Sequence, residues 1–186
     1  MIEKMEKLFI DKEKALLLVI DIQEKLFPAI ANQERLLKQT NLLLQLARIL
    51  NLPVVVTEQN SRGLGPTIDS VDLKGLNVEK IAKMTFSAVT PDLLGVLAKY
   101  QKNQIIVLGI EAHVCVFQTV RDLQKRGYQC YLAVDAVDSR SAGNYHCALE
   151  LMREMGAVLT SAEIVIFDML GAAGTPEFKQ ILTWLR

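Results

Sequence analysis

Three side chains in this chain have the chemistry of hydrolysis, and each is associated with a short apolar run. Asp21 comes directly after one run, Lys83 ends a second, and Cys115 comes six residues after Gly109, where a third run ends. A thiolate is a strong nucleophile, and a carboxylate can take the thiol proton and later return it to a leaving group. With an ammonium group to hold these charges in place, Asp21 and Cys115 could cleave an amide or an ester bond.

The surroundings that the sequence predicts for Cys115 favour its ionised form. We expect Cys115 to lie at the start of a helix, whose positive end stabilises a thiolate, and a nearby ammonium group does the same. Backbone amides in the turn between Gly109 and Cys115 could form an oxyanion hole. A second interpretation stays open, because a cysteine on an apolar helix is often a core residue. Cys130 and Cys147 fit that interpretation, since each lies in a pattern typical of buried residues.

The alternation of apolar runs with helical patterns predicts the elements that position these residues. Six runs are predicted strands, at residues 15–20, 54–57, 81–82, 104–108, 128–134 and 157–159. Helical patterns cover residues 34–50, 114–126 and 141–155, and three more helices are predicted to begin at caps formed by Thr90, Thr160 and Thr175. This alternation is typical of an α/β fold, a three-layer, doubly wound sheet of mainly parallel strands with helices on both faces.

The expected strand order brings the three reactive residues together. For six strands the doubly wound order is 3-2-1-4-5-6, in which the first and fourth strands are neighbours. Asp21 and Cys115 would then face each other at the carboxyl edge, and the long side chain of Lys83 would reach in from two strands away. Ordinary roles stay open as well, a turn cap for Asp21 and a surface position for Lys83. Residues 60–79 lack periodicity, and because they follow a strand at the same edge we expect a functional loop rather than a surface excursion.

Composition and charge exclude several classes of protein. The 186 residues argue for one domain over residues 1–186. Lys plus Arg and Asp plus Glu both number 21, so we expect neither nucleic acid nor an anionic membrane as a partner. The first apolar run is too short to span a membrane and no cleavage site follows it, so we expect a cytoplasmic protein without a signal peptide. Three cysteines, an odd number, predict free thiols rather than a disulfide framework.

Metal and nucleotide sites are not expected from the sequence. The two histidines, His113 and His146, are far apart, and no Asp-x-His or His-x-x-His pattern occurs. No Walker loop is present, and no Gly-x-Gly-x-x-Gly follows the first predicted strand. We therefore predict that the protein works without a cofactor.

The motifs around the reactive residues resemble those of the isochorismatase-like cysteine hydrolases. The similar segments are residues 21–23 (DIQ), 83–87 (KMTFS) and 109–116 (GIEAHVCV), which resemble the first-strand, lysine and nucleophile motifs. Residues 57–59, 63–67 and 176–179 are similar to the branch of isochorismatase domain-containing proteins. The resemblance covers nearly the whole chain in order, and the motifs are specific when taken together.

The resemblance implies a site and its components. It implies a catalytic triad of Asp21, Lys83 and Cys115, and a cis peptide bond between Ile110 and Glu111 that aims the amides of Glu111 and Cys115 at an oxyanion. It further implies that the pocket is lined or approached by Gln23, Phe27, Glu58, Gln59, Phe86 and His113. The family commonly assembles, and the apolar content of the chain is high, so we also expect a homo-oligomer.

One departure from the family narrows the expected chemistry. The nicotinamidase branch carries an Asp-x-His metal site after its second strand, whereas residues 57–60 of this chain read TEQN and hold no histidine. We therefore expect a hydrolase without a metal that cleaves a small amide, or a related C–N or ester bond, through a thioester on Cys115. The alternative is a binding or assembly protein that keeps the fold but turns over little. A thiol redox protein is a third interpretation, which the absence of Cys-x-x-Cys disfavours.

Overall fold

A six-stranded parallel sheet forms the centre of the molecule. The computed structural model describes residues 5–185 of the chain. The strands are β1 Ala15–Ile20, β2 Val54–Gln59, β3 Val78–Lys83, β4 Gln104–Ile110, β5 Gln129–Asp138 and β6 Val158–Thr160. All neighbouring strands are parallel, and their order is β3-β2-β1-β4-β5-β6. The predicted order is therefore confirmed.

Helices cover both faces of the sheet, which confirms the three-layer arrangement. They are α1 Gln33–Leu50, α2 Ser61–Leu64, α3 Pro91–Tyr100, α4 Phe117–Gln124, α5 Ala142–Glu154, α6 Ala162–Leu170 and α7 Pro176–Ile181. A 3-10 turn at Phe27–Ala29 and a π-helical turn at Ala112–Val116 complete the set. Helices α1, α6 and α7 pack on one face of the sheet, and α3, α4 and α5 pack on the other. Among residues 5–185, no helix has the length and apolar character needed to cross a bilayer.

Side-chain caps fix where the helices begin. Thr90 and Thr175 each accept a hydrogen bond from a backbone amide in the first turn of α3 and α7, as predicted. The predicted cap at Thr160 is wrong, because Thr160 still pairs with Ala133 of β5 as the last residue of β6. Helix α6 therefore begins one residue later than expected, and Ser161 caps it.

The segment between β2 and β3 is ordered by contacts with α1 rather than by a regular structure of its own. Besides the short helix α2, it forms a single antiparallel bridge between Thr67 and Gln23. Further along, the Asn41 side chain of α1 donates to the carbonyl of Ser70 and accepts from the amide of Asp72. These contacts hold the segment against the body of the protein until β3 begins at Val78.

Two of the three cysteines lie in the core and the third does not. Cys115 and Cys130 are buried, whereas Cys147 is exposed. The prediction of a buried Cys147 is wrong, because α5 turns this residue outward. Ala148 and Met152 of the same helix are the residues that pack on the sheet. All three cysteines are free thiols, as predicted.

Candidate active site

A buried ion pair lies at the carboxyl edge of the sheet. Asp21 directly follows β1, where a backbone φ of 51° turns the chain, and Lys83 is the last residue of β3. The Nζ atom of Lys83 lies 2.6 Å from Oδ2 of Asp21, and both side chains are fully buried. The prediction that Lys83 reaches across to Asp21 from two strands away is therefore confirmed.

Strand β2, which lies between β1 and β3, supplies two side chains that hold this pair. Thr57 Oγ1 donates to Oδ1 of Asp21 at 2.7 Å, and Gln59 Oε1 accepts from Lys83 Nζ at 3.0 Å. Residues two apart on a strand share a face, so one strand reaches both partners. Thr57 was not among the predicted site residues, although its spacing of two residues from Gln59 in the 57–59 motif places both on one face of the strand.

The ammonium group of Lys83 is surrounded by acceptors. Besides Asp21 and Gln59, its Nζ donates to the carbonyl oxygens of Thr85 at 3.3 Å and Phe86 at 3.1 Å. These contacts fix its position and leave it little freedom to turn toward another group. The ring of Phe86 is 53% exposed beside this lysine, and it offers apolar surface at the mouth of the site.

Cys115 lies inside a helical segment, close to the carboxylate of Asp21. The helix predicted from residue 114 begins earlier, with the π-helical turn at Ala112, so Cys115 is not at its first position. The residue is only 5% exposed, and the negative charge of Asp21 lies near enough to raise the pKa of its thiol. The nucleophile candidate and the carboxylate predicted to face it are thus brought together.

The electrostatics of the site favour the neutral thiol of Cys115. Burial raises its pKa from 9.0 to about 12, the negative charges of Asp21 and Glu111 act in the same direction, and the ammonium of Lys83 only partly offsets them. The expectation that the surroundings favour a thiolate is therefore wrong for the protein without substrate. The site instead presents a thiol beside a carboxylate that can accept its proton.

The turn that carries Cys115 is held by the loop between β5 and α5. The two carboxylate oxygens of Glu111 accept from the backbone amide of Arg140 at 3.0 Å and from its guanidinium at 2.9 Å. His113 Nδ1 lies 3.0 Å from the hydroxyl oxygen of Ser139. The peptide bond between Ile110 and Glu111 is cis, as the resemblance implied.

Three other residues predicted to line the pocket, Gln23, Glu58 and Phe27, contact neighbouring strands, loops and the core rather than the cluster of Asp21, Lys83 and Cys115. Gln23 Oε1 accepts from the amide of Gln59, and its Nε2 donates to the carbonyls of Gln59 and Gly65. Glu58 Oε1 accepts from both the amide and the hydroxyl of Thr67. Phe27 opens the 3-10 turn and packs against the core. The polar groups of Gln23 are thereby fully engaged by the protein.

Metal ligands do not converge in the described part of the chain. Among residues 5–185, no group of three or more His, Cys, Asp or Glu side chains is placed to hold a metal ion. What the arrangement can do chemically is move a proton between Cys115 and Asp21 while Lys83 balances the charge.

The fold and these residues define a hydrolase-like α/β protein, and comparison with known proteins gives its family. The sequence model of the isochorismatase domain matches residues 15–164, and the chain belongs to this family. It is 38% identical over 173 residues to the secreted isochorismatase effector Isc1 of Phytophthora sojae, covering 90% of this chain and 82% of that protein. It is 34% identical over 169 residues to isochorismatase domain-containing protein 2A of Mus musculus, covering 91% and 81%.

Solved structures show the same architecture. The MAR1 ribonuclease of Caenorhabditis elegans superimposes with a TM-score of 0.89 at 37% identity, over 95% of this chain and 92% of that one. YcaC of Escherichia coli, described as an octameric hydrolase of unknown specificity, superimposes with a TM-score of 0.84 over 95% and 87%. At 21% identity, YcaC shows the fold alone.

Proposed function

We propose that this chain is a cysteine hydrolase that cleaves a small amide, or a related C–N or ester bond, through a thioester on Cys115. The observation that carries the proposal is the convergence of Cys115, Asp21 and Lys83 in one buried cluster at the carboxyl edge of the sheet. Ligands of doubly wound proteins bind at this edge. Asp21 and Lys83 supply a proton acceptor and a compensating charge, and the proposed chemistry needs no metal.

Acylation begins with the neutral thiol found at rest. As the Cys115 sulfur attacks the carbonyl carbon of the substrate, its proton passes to Asp21 and a C–S bond forms. The carbonyl oxygen takes up the negative charge, which the backbone amides of Glu111 and Cys115 stabilise. The C–N bond then breaks, protonated Asp21 gives its proton to the leaving nitrogen, and an amine or ammonia departs.

Deacylation uses the same groups in reverse. Asp21 takes a proton from a water molecule, whose oxygen attacks the thioester carbon, and the C–S bond breaks as the proton returns to sulfur. The carboxylic acid is released and the thiol of Cys115 is restored. Lys83 remains an ammonium throughout and compensates the charge of Asp21. Phe27, Phe86 and His113 are proposed to contact the rest of the substrate.

A panel of small amides and esters tests the proposal. Wild-type protein should release amine or acid from at least one member, and Cys115→Ala should lower that rate by about 10³-fold or more. The matched controls are Cys130→Ala and Cys147→Ala, which remove the other two thiols and should keep the activity. Intact-mass spectrometry of a slow substrate should show an acyl adduct on Cys115.

The results of the same panel decide between this proposal and the alternative of a binding or assembly protein. Turnover that Cys115→Ala abolishes would exclude a protein that only binds. Turnover that Cys115→Ala retains, or no turnover of any substrate by wild-type protein, would overturn the thioester mechanism.

A second candidate function is cleavage of RNA, which the C. elegans MAR1 ribonuclease favours at 37% identity. RNA binding relies on an excess of positive charge, whereas this chain has 21 basic and 21 acidic residues. This balance favours a small uncharged substrate instead. Incubation of a mixed-sequence RNA with wild-type and Cys115→Ala protein separates the two. Cleavage that Cys115→Ala abolishes would favour the nuclease.

We also propose that the chain assembles with copies of itself and works in the cytoplasm. The octameric E. coli YcaC shares its fold, which supports assembly. Three free cysteines are typical of a reducing compartment. Light scattering coupled to size-exclusion chromatography measures the mass, and a value near 20.8 kDa would contradict assembly.

A further inference from the structure

A buried hydroxyl group joins the turn that carries Cys115 to the loop between β3 and α3. Thr119 lies in α4 with no exposed surface, and its Oγ1 donates to the carbonyl oxygen of Cys115 at 2.6 Å. The same Oγ1 accepts from the backbone amide of Ala88 at 2.9 Å. Since that amide can only donate, the hydroxyl proton is directed to Cys115, and both hydrogen bonds have a fixed direction. Thr119 therefore connects two segments that are far apart in the sequence.

The loop that contains Ala88 also surrounds the ammonium group of Lys83. The carbonyl oxygens of Thr85 and Phe86, in the same loop, accept from Lys83 Nζ at 3.3 and 3.1 Å. Ala88 has no exposed surface and packs in the same core cluster as Cys115. The loop thus contacts the lysine through its first residues and the helix of the nucleophile through a later one.

We propose that Thr119 is a positioning residue that holds the Cys115 turn and the Lys83 ammonium in a fixed arrangement; this inference rests on the proposed function. A threonine hydroxyl inside a helix often donates to the carbonyl four residues earlier, and that bond alone is local. The hydrogen bond from Ala88 is what extends it to a second segment. The turn at Ala112–Val116 is π-helical, with a wider backbone hydrogen-bond spacing than an α-helix, so a side-chain bond adds a constraint there.

Removal of this hydroxyl would leave the Ala88 amide buried without an acceptor, which is costly in free energy. We expect the loop to open locally so that the amide can bind water. The two carbonyl oxygens that accept from Lys83 then move with the loop, while Asp21 and Gln59 continue to accept from the ammonium group. The lysine therefore stays charged and paired, but it is less protected from water.

Hydrogen exchange measured by NMR on the full chain tests this coupling without a substrate. In protein labelled with ¹⁵N, the signals are the Ala88 amide and the Lys83 ammonium, which is assigned through bonds along its side chain. In Thr119→Val, which has the same shape without the hydroxyl, both should exchange about tenfold faster or more. The rates are compared with that of the Val107 amide, which lies in the centre of the sheet and reports opening of the core.

Two results would overturn the proposal. If the Ala88 amide exchanges faster while the Lys83 ammonium exchanges as in wild type, the effect of Thr119 ends in the loop and does not reach the lysine. If the Val107 amide is accelerated equally, Thr119 only stabilises the fold. Thr119→Ser, which retains a hydroxyl, should restore the wild-type rates. If Thr119→Val fails to fold, Thr119→Ala is measured in its place and should accelerate the same two signals.

A buried threonine elsewhere provides the matched control. Thr40 of α1 also has no exposed surface, and its hydroxyl makes no hydrogen bond among residues 5–185. Thr40→Val should leave the exchange of the Ala88 amide and of the Lys83 ammonium unchanged. This result would separate the loss of the Thr119 contacts from the general loss of a buried hydroxyl.

The panel of amides and esters adds a kinetic readout. For a substrate that wild-type protein turns over, Thr119→Val should lower kcat by about tenfold or more and change KM less, and Thr119→Ser should recover kcat. Faster exchange with an unchanged kcat would overturn the positioning role. If wild-type protein turns over no substrate, the proposed function fails, whereas the exchange rates still decide whether Thr119 couples the two segments.

Discussion

At the residue scale, the buried ion pair of Asp21 and Lys83 is the electrostatic centre of the proposed active site. Its two side chains are fully buried, so each charge has lost the water that would otherwise stabilise it. Each residue therefore depends on the other, and Gln59 further fixes the ammonium group. In the proposed mechanism the ammonium of Lys83 also compensates the negative charge of the Asp21 carboxylate at the buried edge of the sheet.

Replacing both members of this pair is expected to destabilise the protein by less than the two single replacements combined. Lys83→Met or Asp21→Asn alone should lower the free energy of unfolding by about 3–5 kcal/mol, because each leaves a buried charge without its partner. The double variant should lose less than the sum, as measured by urea denaturation. Lys99→Met, which breaks an exposed ion pair with Glu79, is the control and should hardly move the midpoint. Strict additivity of the two single variants would contradict this expectation.

Some of these residues could be predicted from the sequence and others could not. Asp21, Lys83 and Cys115 end or follow apolar runs, so strand order alone indicates where they meet. Thr57 also follows an apolar run, but threonine is an ordinary strand residue, and only the structure shows its hydroxyl on the carboxylate. The protonation state of Cys115 was predicted wrongly. Burial and the charge of Asp21 raise the pKa of its thiol by more than the ammonium of Lys83 lowers it, and these effects depend on distances that the sequence does not contain.

At the element scale, the close approach of β1 and β4 places the two halves of the site. Gly109 pairs with Ile20 in the parallel register, one residue before Asp21. Its φ is 119°, and a Cβ atom at this position would overlap the backbone of Ile20. Only glycine allows the two strands to meet here, so the carboxylate and the turn bearing the nucleophile emerge side by side.

Gly109→Ala is expected to disrupt this approach. Backbone strain alone should lower the free energy of unfolding by about 1–3 kcal/mol, and the overlap with Ile20 adds to that loss. Gly95 of α3 is the matched control, because a Cβ atom there meets nothing within 4 Å. Gly95→Ala should raise the free energy of unfolding by about 0.5–1 kcal/mol through helix propensity. Thermal or urea unfolding measures both variants. Equal changes in the free energy of unfolding would contradict the requirement for glycine at position 109.

The existence of the strands could be predicted better than their ends. β1 was predicted in full because all its residues are buried. β3 was predicted only at residues 81–82, yet it extends over Val78–Lys83, because Glu79 and Lys80 lie at the sheet edge and interrupt the apolar pattern. β5 likewise continues to Asp138, whose carboxylate is satisfied by tertiary contacts with Asn32 and Arg35 that a local pattern does not contain.

At the scale of the whole molecule, the sheet divides the apolar residues into two cores and encloses ionisable groups in both. Cys130 and Tyr131 are neighbours on β5 and point into opposite cores. Burial raises the pKa of Cys130 from 9.0 to about 12. Burial and the charge of Asp168 raise the pKa of Tyr131 from 10.0 to about 12, against a hydrogen bond from Gln104. With Cys115, these groups stay neutral in the folded protein at a pH where the unfolded chain ionises them.

Stability is therefore expected to fall as the pH rises from 9.0 towards about 12. In this range the unfolded state has released protons that the folded state keeps. Each buried thiol therefore raises the equilibrium constant of unfolding roughly tenfold per pH unit. Cys130→Ala should show a shallower decline than wild type in urea denaturation at stepped pH. Cys147→Ala, which removes the exposed thiol, should decline like wild type. A decline that Cys130→Ala leaves unaltered would contradict the role of this buried group.

The neutral resting state of Cys115 also bears on how long the protein survives in a cell. Peroxides oxidise thiolates far faster than thiols, and they first need to reach the sulfur. As the proposed nucleophile, Cys115 is protonated and only 5% exposed in the protein without substrate, so we expect it to be poorly oxidised. Hydrogen peroxide should therefore form sulfenic acid at Cys147 before it does so at Cys115. Activity should outlast the first oxidation event, because the first thiol lost lies outside the site.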